Sequence, residues 1–484
     1  MIGAQRTRTK LVATLGPASS DPAVIGAMVD AGLDVARLNF SHGEPAEHRE
    51  RLSIARRAAT ERGASLAVLA DLQGPKIRVG VLAGDGYPLA AGASCELIAG
   101  ATSAPPPAIP VTYEQLADDL RPGDRVLLDD GAIELEVRSV SGRRVACVVR
   151  RGGTVRSRKG VNLPGVRVSA PSLTAKDRRD LVTAIEAGVD YLALSFVRRA
   201  GDVTGAKRAI AELGADVPLV AKLERPEAIE HLDGILDAAA AVMVARGDLG
   251  VELAVEKVPP LQKEIIARAN ACGVPVITAT QMLESMVSSQ RPTRAEASDV
   301  ANAVFDGTDA VMLSQETAIG AYPVEAVATM RRIAEEAEST PSLLHPPPPP
   351  SGGPLDVAST TCKAAVQAAA DLGARAIVAF TETGATARYV SRFRPRVPIV
   401  GLTPHEATRR RMAMYWGVRA LPPVDTHLEL GEMVQQADQR LRAAGVASEG
   451  DLIVLVAGTP GLRAATNRMI VHRLGSADVT QTSG

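Results

Sequence analysis

A chain of 484 residues is too long for one hydrophobic core, so roughly two to four domains are expected, and 46% apolar residues supply ample core material. Aromatic residues are only 2%, so that core must be filled by Ala, Val, Leu and Ile, which suits layered helices and parallel strands. A net charge of -1 gives no general pull toward nucleic acid or an anionic membrane, so any binding must rest on local charge.

Cys95, Cys147, Cys272 and Cys362 form no CxxC or Cys/His cluster, which argues against a disulfide framework and a structural zinc site and fits a reducing cytoplasm. The first ten residues are basic without an apolar h-region, and no stretch offers about 18 uninterrupted apolar residues. The expectation is a soluble, cytoplasmic protein with neither nucleic acid nor membrane as partner.

From Thr9, short apolar runs at 10–15, 34–40 and 65–72 alternate with helical stretches at 22–31 and 44–62, giving three β/α units. The alternation stops at Gly74-Pro75. Between there and Pro171 lie short strand-like pieces (95–98, 125–128, 145–149) and the turn dipeptides Pro122-Gly123 and Ser141-Gly142, the texture of an inserted all-β domain. After Thr174 a helix runs to Ala187, and apolar runs follow at 191–197, 219–224, 241–245, 275–280 and 310–313. Three strands before the insertion and five after it make the eight that a closed (β/α)₈ barrel needs, although an open sheet has the same count. Residues 341–354, with five consecutive prolines, predict a stiff extended linker. Beyond it, runs at 376–380, 398–402, 418–421, 452–456 and 469–471 predict a parallel α/β domain. The expected boundaries are 1–74 and 172–340 for the barrel, 75–171 for the insertion and 355–484 for the last domain.

The chemistry concentrates where those barrel strands end. Ala240 to Gly250 is an apolar run that stops at Arg246-Gly247-Asp248, and the preceding run carries Lys222 and Glu224, which strand alternation places on one side. The other strand ends supply Arg37, Asn39, Asp71, Ser195, Thr280, Ser314 and Glu316. A strand-end Asp or Thr often only caps the next helix; polar residues at almost every strand end suggest a site. The chain has only nine lysines, so one placed two residues before a glutamate within an apolar run stands out. Glu224 and Asp248 offer hard oxygens suited to Mg²⁺, while Lys222, Arg37 and Arg78 form a positive cluster suited to a phosphoryl group. Metal-assisted phosphoryl transfer and enolate chemistry both fit.

Six stretches in order carry a resemblance to a known family: Ala13-Thr-Leu-Gly-Pro-Ala-Ser19, Ala36-Arg-Leu-Asn-Phe-Ser-His-Gly43, Lys159-Gly-Val-Asn-Leu-Pro-Gly165, Val244-Ala-Arg-Gly-Asp-Leu-Gly250, Ala279-Thr-Gln-Met-Leu-Glu-Ser285 and Arg291-Pro-Thr-Arg-Ala-Glu-Ala-Ser-Asp299. Over almost its whole length the chain resembles the pyruvate kinases. The resemblance implies a (β/α)₈ TIM barrel with an inserted β-barrel lid domain and a C-terminal parallel α/β domain. It implies transfer of the phosphoryl group of phosphoenolpyruvate to ADP, giving pyruvate and ATP, by a homotetramer. In family terms Glu224 and Asp248 hold Mg²⁺ or Mn²⁺, Lys222 stabilises the phosphoryl group in transit and the enolate, and Arg37 grips phosphate. Thr280 lies by the methylene carbon, where the proton arrives through water. Ser195 and Gly247 complete the substrate contacts, Ser314 and Glu316 surround them, and Pro17, Asn39, His42, Arg78 and Lys159 lie on the nucleotide side. Taken singly, His42 reads as a loop residue, and Arg78 and Lys159 as solvated charges.

Two departures from the common family pattern are visible. Family members that need a monovalent cation hold it with oxygens corresponding to Asn39, Ser41, Asp71 and the carbonyl of Leu72. Where potassium-dependent members carry glutamate, this chain has Lys76, whose ammonium would stand in for the ion, so K⁺ is not expected to be required. Leu72, Gln73 and Val79 fit the potassium-independent subgroup as well; a solvated hinge lysine is the plainer alternative. The second departure is Gln315, where glycine is common.

In the last domain, Thr381-Glu-Thr-Gly-Ala-Thr-Ala387 follows a strand and opens a helix, as a phosphate cradle would. By resemblance Thr381, Thr383, Gly384 and Thr386 would hold a phosphate of an allosteric effector, with the loop at 458–460 completing the pocket. A plain strand-to-helix turn is the alternative. Two rival functions remain: a Mg²⁺-dependent phosphoenolpyruvate or pyruvate lyase or aldolase on the same barrel, and a noncatalytic sensor keeping the fold.

Overall fold

The computed structural model describes residues 7–84, 86–340, 356–426, 429–458 and 466–476. The expected linker at 341–354 lies outside them.

Eight parallel strands close into a barrel: Lys10–Leu15, Val35–Asn39, Ala67–Asp71, Tyr191–Leu194, Leu219–Leu223, Ala241–Ala245, Val276–Ala279 and Ala310–Leu313. The first strand pairs with the last (Lys10 with Ala310) as well as with the second, which resolves the choice between closed barrel and open sheet. Alternation splits each strand between two cores. Val12, Ala67, Leu69, Val220, Met243, Ile277 and Met312 fill the interior, while Leu11, Leu38, Val68, Leu192 and Val244 face the surrounding helices. With both faces covered, the strands read as unbroken apolar runs.

Helix boundaries follow local chemistry. Pro22–Ala31 starts with Asp21 accepting from the Ala23 N–H at 2.7 Å and ends at Gly32, whose φ of 112° only glycine adopts without strain. Ala175–Ala187 starts with a Thr174/Asp177 capping box, and the same Asp177 carboxylate accepts from the Gly74 N–H at 3.0 Å. One cap therefore also anchors the chain where it leaves the barrel.

The insertion has its own core, including Leu97, Ile109, Leu116, Val126, Leu135 and Val145. Its main sheet runs Val161–Asn162, Arg125–Leu128, Ile133–Ser141, Arg144–Arg151, Ser94–Ala99, Ala108–Val111, and a second small sheet pairs Gly153–Val155 with Tyr87–Leu89. Bridges from Arg78 to Gly160 and from Val79 to Val111 join both edges of the main sheet through one segment and draw it round into a barrel. A single helical turn, Leu116–Asp119, interrupts the expected all-β texture.

The last domain is a five-stranded sheet in the order Val418–Ala420, Ile399–Leu402, Ala376–Phe380, Leu452–Gly458, Thr466–Arg473. The first four are parallel, as expected; the last runs antiparallel to its neighbour. The link at 459–465 is too short for the crossover that a parallel partner requires.

This domain plugs the floor of the barrel. Ala413 and Met414 belong to the same buried cluster as Val12, Met243 and Met312. Around them Lys10 Nζ donates to the Val418 carbonyl at 2.8 Å, and the Tyr191 hydroxyl donates to the Arg411 carbonyl at 2.8 Å. Asp190, 1% exposed, is clasped by Arg56 at 2.6 Å and Arg410 at 3.0 Å, and Arg394 pairs with buried Asp309 at 3.0 Å. The barrel residues Lys10, Asp190, Tyr191 and Asp309 lie at or just before strand starts, so the opposite ends, where the strands finish, are left for chemistry. Asp190→Ala leaves two arginines facing a buried gap and is expected to lower stability by about 3 kcal/mol, read from the shift in the urea unfolding midpoint.

Candidate active site

Four adjacent strands deliver one charged cluster. Strand alternation sends Lys222 inward, and its ammonium contacts Ser195 Oγ at 2.8 Å, Asp71 Oδ1 at 3.2 Å and Glu224 Oε1 at 2.8 Å. Arg37 reaches the other oxygen of Asp71 through Nε at 2.8 Å and Nη2 at 2.7 Å, and donates to Thr14 Oγ1 at 2.8 Å. The Glu224 carboxylate also accepts from the Phe196 N–H at 2.7 Å.

Burial is the largest single influence on Asp71, Lys222 and Glu224. For Asp71 it is outweighed by the charges and hydrogen bonds of Lys222 and Arg37, which hold the carboxyl below its usual range. For Lys222 burial opposes the charge, but Asp71 and Glu224 more than reverse it, so the ammonium is held well above the ordinary lysine range. For Glu224 burial prevails: its carboxyl sits above the usual range although Lys222 pulls it down, and the nearby charge of Asp248 pushes it further up.

Asp248 lies in the first turn of helix Arg246–Glu252, which begins directly at the end of the sixth strand. It is half-buried, and among the described residues its carboxylate has neither an ion pair nor a hydrogen bond. Thr280, after the seventh strand, has φ 69°, a left-handed backbone that a β-branched side chain seldom adopts. Its hydroxyl accepts from the Gly247 N–H at 2.7 Å and donates to the Ala279 carbonyl at 2.6 Å. Glu316, fully buried, accepts from the Leu283 N–H at 3.0 Å and the Ser314 N–H at 2.7 Å, so it braces the loop carrying Thr280 against the eighth strand. Among the described residues Ser314 Oγ is buried without a partner. Gln315 is exposed.

The other expected residues lie further out. Asn39 Oδ1 accepts from the Ser41 N–H at 3.1 Å, and the Leu72 carbonyl accepts from Ser195 Oγ at 2.7 Å. His42 is exposed; partial burial and then the charges of Arg78, Lys76, Arg37 and Lys176 lower its pKa from 6.5, so it is neutral at pH 7. Arg78 donates to the Arg158 carbonyl at 3.0 Å, and Lys159 pairs with Asp129 at 2.9 Å. Pro17 is exposed at the turn Pro17–Ser19. Lys76 is exposed and, among the described residues, forms no ion pair; with Asn162, Arg225, Asp248 and Glu252 it lines a cavity between insertion and barrel.

In the last domain Thr381 Oγ1 accepts from the Gly384 N–H at 2.9 Å, and exposed Thr383 accepts from the Ala385 N–H at 3.4 Å. Thr386 is buried and shares a 2.8 Å hydrogen bond with Thr466. Gly384 has φ 89°, and a Cβ there would meet the Tyr415 ring at 3.3 Å. Of the loop at 458–460, residues 459 and 460 lie outside the described residues.

Sequence reasoning gave no part to Thr14 or Arg246, both in direct contact with the site. Inward alternation two residues after Val12 could have found Thr14; Arg246 acts through backbone carbonyls, for which there is no sequence signal.

Fold and site together define a lidded barrel enzyme whose buried cations and free carboxylate are arranged for an anionic, metal-bound substrate. The chain belongs to the pyruvate kinase family: the family's barrel domain matches residues 6–327 and its alpha/beta domain residues 359–472. It is 46% identical to a pyruvate kinase of Mycobacterium intracellulare over 98% of this chain and 99% of that one. It is 45% identical to one of Corynebacterium glutamicum, covering 97% and 98%. A solved pyruvate kinase from Cryptosporidium parvum superposes with a TM-score of 0.88 at 33% identity, covering 97% and 96%. The enzyme is a phosphotransferase with phosphoenolpyruvate, ADP or ATP, and pyruvate as substrates and products, in a family that generally uses Mg²⁺. Among the described residues no helix is long and apolar enough to cross a membrane.

Because Glu316 serves one buried and one part-buried N–H group, Glu316→Ala is expected to lower stability by about 3 kcal/mol in urea unfolding, whereas Glu316→Gln, which keeps one acceptor, costs less.

Proposed function

We propose that catalysis centres on Lys222, Arg37 and Thr280, with Glu224 and Asp248 as the metal ligands, and that it proceeds without K⁺. The observation that carries the reading is the buried ammonium of Lys222 between Asp71, Glu224 and Ser195, one strand away from the unpartnered Asp248 carboxylate. Glu224 and Asp248 present hard oxygens of the kind Mg²⁺ or Mn²⁺ takes, and Asp248 has no competing partner among the described residues. A divalent metal held there would supply Lewis-acid stabilisation of the negative charge that develops on the substrate.

Lys222 is charged throughout the physiological range, so it offers a fixed positive group where negative charge moves between phosphoryl group and enolate. Arg37 is oriented by Asp71 and Thr14, which leaves its remaining N–H groups for phosphate. Ser195 and Gly247 complete the substrate contacts. Thr280 orders the water that protonates the methylene carbon. Pro17, Asn39, His42, Arg78 and Lys159 contact the nucleotide, with His42 neutral and so a hydrogen-bond partner rather than a charge. The insertion closes over them and excludes water.

Lys76 takes the place of the monovalent cation. In support, its ammonium has no ion-pair partner among the described residues, and its charge already reaches the site, since it contributes to the lowered pKa of His42. The Leu72 carbonyl, an expected cation ligand, is already engaged by Ser195. The loop at Thr381, Thr383, Gly384 and Thr386 binds a phosphate of an allosteric effector, with exposed Thr383 and the glycine N–H as its accessible part. The enzyme works as a cytoplasmic homotetramer; raised thiol pKa values at Cys95, Cys147 and Cys362, all caused mainly by burial, fit cysteines that stay reduced.

The deciding assay couples pyruvate formation from phosphoenolpyruvate, ADP and Mg²⁺ to a reporter in buffer free of K⁺, Na⁺ and ammonium. Turnover is expected to change less than about twofold on adding KCl, and Lys76→Glu is expected to create a K⁺ requirement. A many-fold activation of the parent by KCl overturns the cation reading; no turnover at all overturns the assignment of the site. Metal binding carries its own pH signature. Because the Glu224 carboxyl is held above its usual range, protons compete with the metal from a higher pH than at an ordinary carboxylate. Mn²⁺ affinity, followed by titration, is expected to weaken steadily as pH is lowered from 8 toward 5.

A further inference from the structure

Arg246 ends the apolar run of the sixth strand, yet its guanidinium turns away from the substrate side. Nη2 donates to the Thr280 carbonyl at 2.8 Å and Nε to the Ala279 carbonyl at 3.3 Å. The opposite edge meets Asp299 through Nη1 at 2.7 Å and Nη2 at 2.7 Å, and Nη1 also reaches Gln262 Oε1 at 3.4 Å. One planar fork thus ties helix Arg294–Phe305 to the turn after the seventh strand.

That turn is strained. Thr280 and Gln281 are both left-handed, with φ of 69° and 54°, a conformation costing of order 1–3 kcal/mol at each such residue. The same twist points the Thr280 carbonyl at Arg246 and its hydroxyl at the Gly247 N–H, 2.7 Å away. Arg246 and Gly247 are adjacent, so a two-point clamp holds Thr280: its carbonyl by the side chain of one residue and its hydroxyl by the backbone of the next. Asp248 follows immediately on the same helix.

We propose that Arg246, oriented by Asp299, is a positioning residue that fixes Thr280 for delivery of the proton to the enolate. This rests on the reading of Thr280 given above. In the step concerned, a water accepted by the Thr280 hydroxyl gives a proton to the enolate methylene carbon. A C–H bond forms, the enolate oxygen becomes the pyruvate carbonyl oxygen, and the water is reprotonated from solvent. Arg246 touches none of these atoms. It sets where the hydroxyl stands, and an ångström of misplacement there can cost about 10²-fold in rate.

The test uses the full-length enzyme with two readouts: turnover of phosphoenolpyruvate and ADP, and exchange of the pyruvate methyl protons with D₂O in the presence of ATP and Mg²⁺, followed by NMR. Arg246→Gln is expected to slow both by about 10–100-fold, while the Mn²⁺ dissociation constant and KM for phosphoenolpyruvate change less than about threefold. Asp299→Asn, more exposed and less disruptive, is expected to show the same pattern at smaller amplitude, and it decides the matter if Arg246→Gln does not fold. Arg246→Lys, able to reach one carbonyl but not both, should fall between the parent and Arg246→Gln. Parental exchange rates in the folded variants overturn the proposal, as does a loss of Mn²⁺ affinity parallel to the loss of rate, which would mark collapse of the Asp248 helix. Thr280→Val separates the two readings. If exchange persists in Thr280→Val, the role of Thr280 itself fails; if exchange is lost there but kept in Arg246→Gln, only the positioning inference fails.

Discussion

Asp71 sits at the end of the third barrel strand with 1% of its surface exposed, in surroundings that by burial alone would protonate it. It stays charged because Arg37 from the second strand and Lys222 from the fifth approach its two oxygens from opposite sides, at 2.7 and 3.2 Å. Lys222 is in turn kept charged by Asp71 and Glu224. No member of this set could be ionised alone at such depth, since an isolated buried charge costs far more than its neighbours' dispersion contacts return. The set depends on the parallel register of four neighbouring strands of the closed barrel, which sets their carboxyl ends side by side within hydrogen-bond reach.

The same closure divides the molecule into two ends with different work. At the strand starts, the last domain fills the barrel with Ala413 and Met414 and surrounds them with paired charges, Asp190 with two arginines and Asp309 with Arg394. At the strand finishes, the charges are paired among themselves on one side and open on the other, where Asp248, Lys76 and the cavity beneath the insertion lie. The insertion is held to the barrel by backbone carbonyls: Arg198 bonds those of Val168 and Ala170, and Arg225 that of Val166. One side chain of the insertion joins them, the Asn162 amide donating to Glu252 Oε1 at 3.3 Å.

Much of this was legible in the residues. Eight apolar runs with helical spacers gave eight β/α units without deciding whether they close, turn dipeptides gave the insertion, and the spacing of Lys222 and Glu224 placed both on one side of a strand. The antiparallel final strand was not legible from its apolar run, because direction depends on the length of the preceding link rather than on the strand's own pattern. Arg246 escaped for a related reason. It acts on carbonyl oxygens of residues more than thirty positions away, and any residue can supply a carbonyl, so no pattern marks the partner. Thr386 points to a third kind of gap: it lies in a loop rich in hydroxyls, but its own is buried against Thr466, a contact between segments far apart in the chain.

The sequence by itself determined the kinds of element, their order and the charged residues available at each strand end, since these follow from hydrophobic period and local turn chemistry. The tertiary structure decided which of those charges meet. Whether Asp71 faces Lys222, whether Asp248 is left without a partner among the described residues, and whether Thr280 is twisted toward Arg246 all depend on strand register around a closed ring and on loops braced by residues distant in sequence. A one-residue change of register would turn Lys222 out of the barrel while leaving its sequence unchanged.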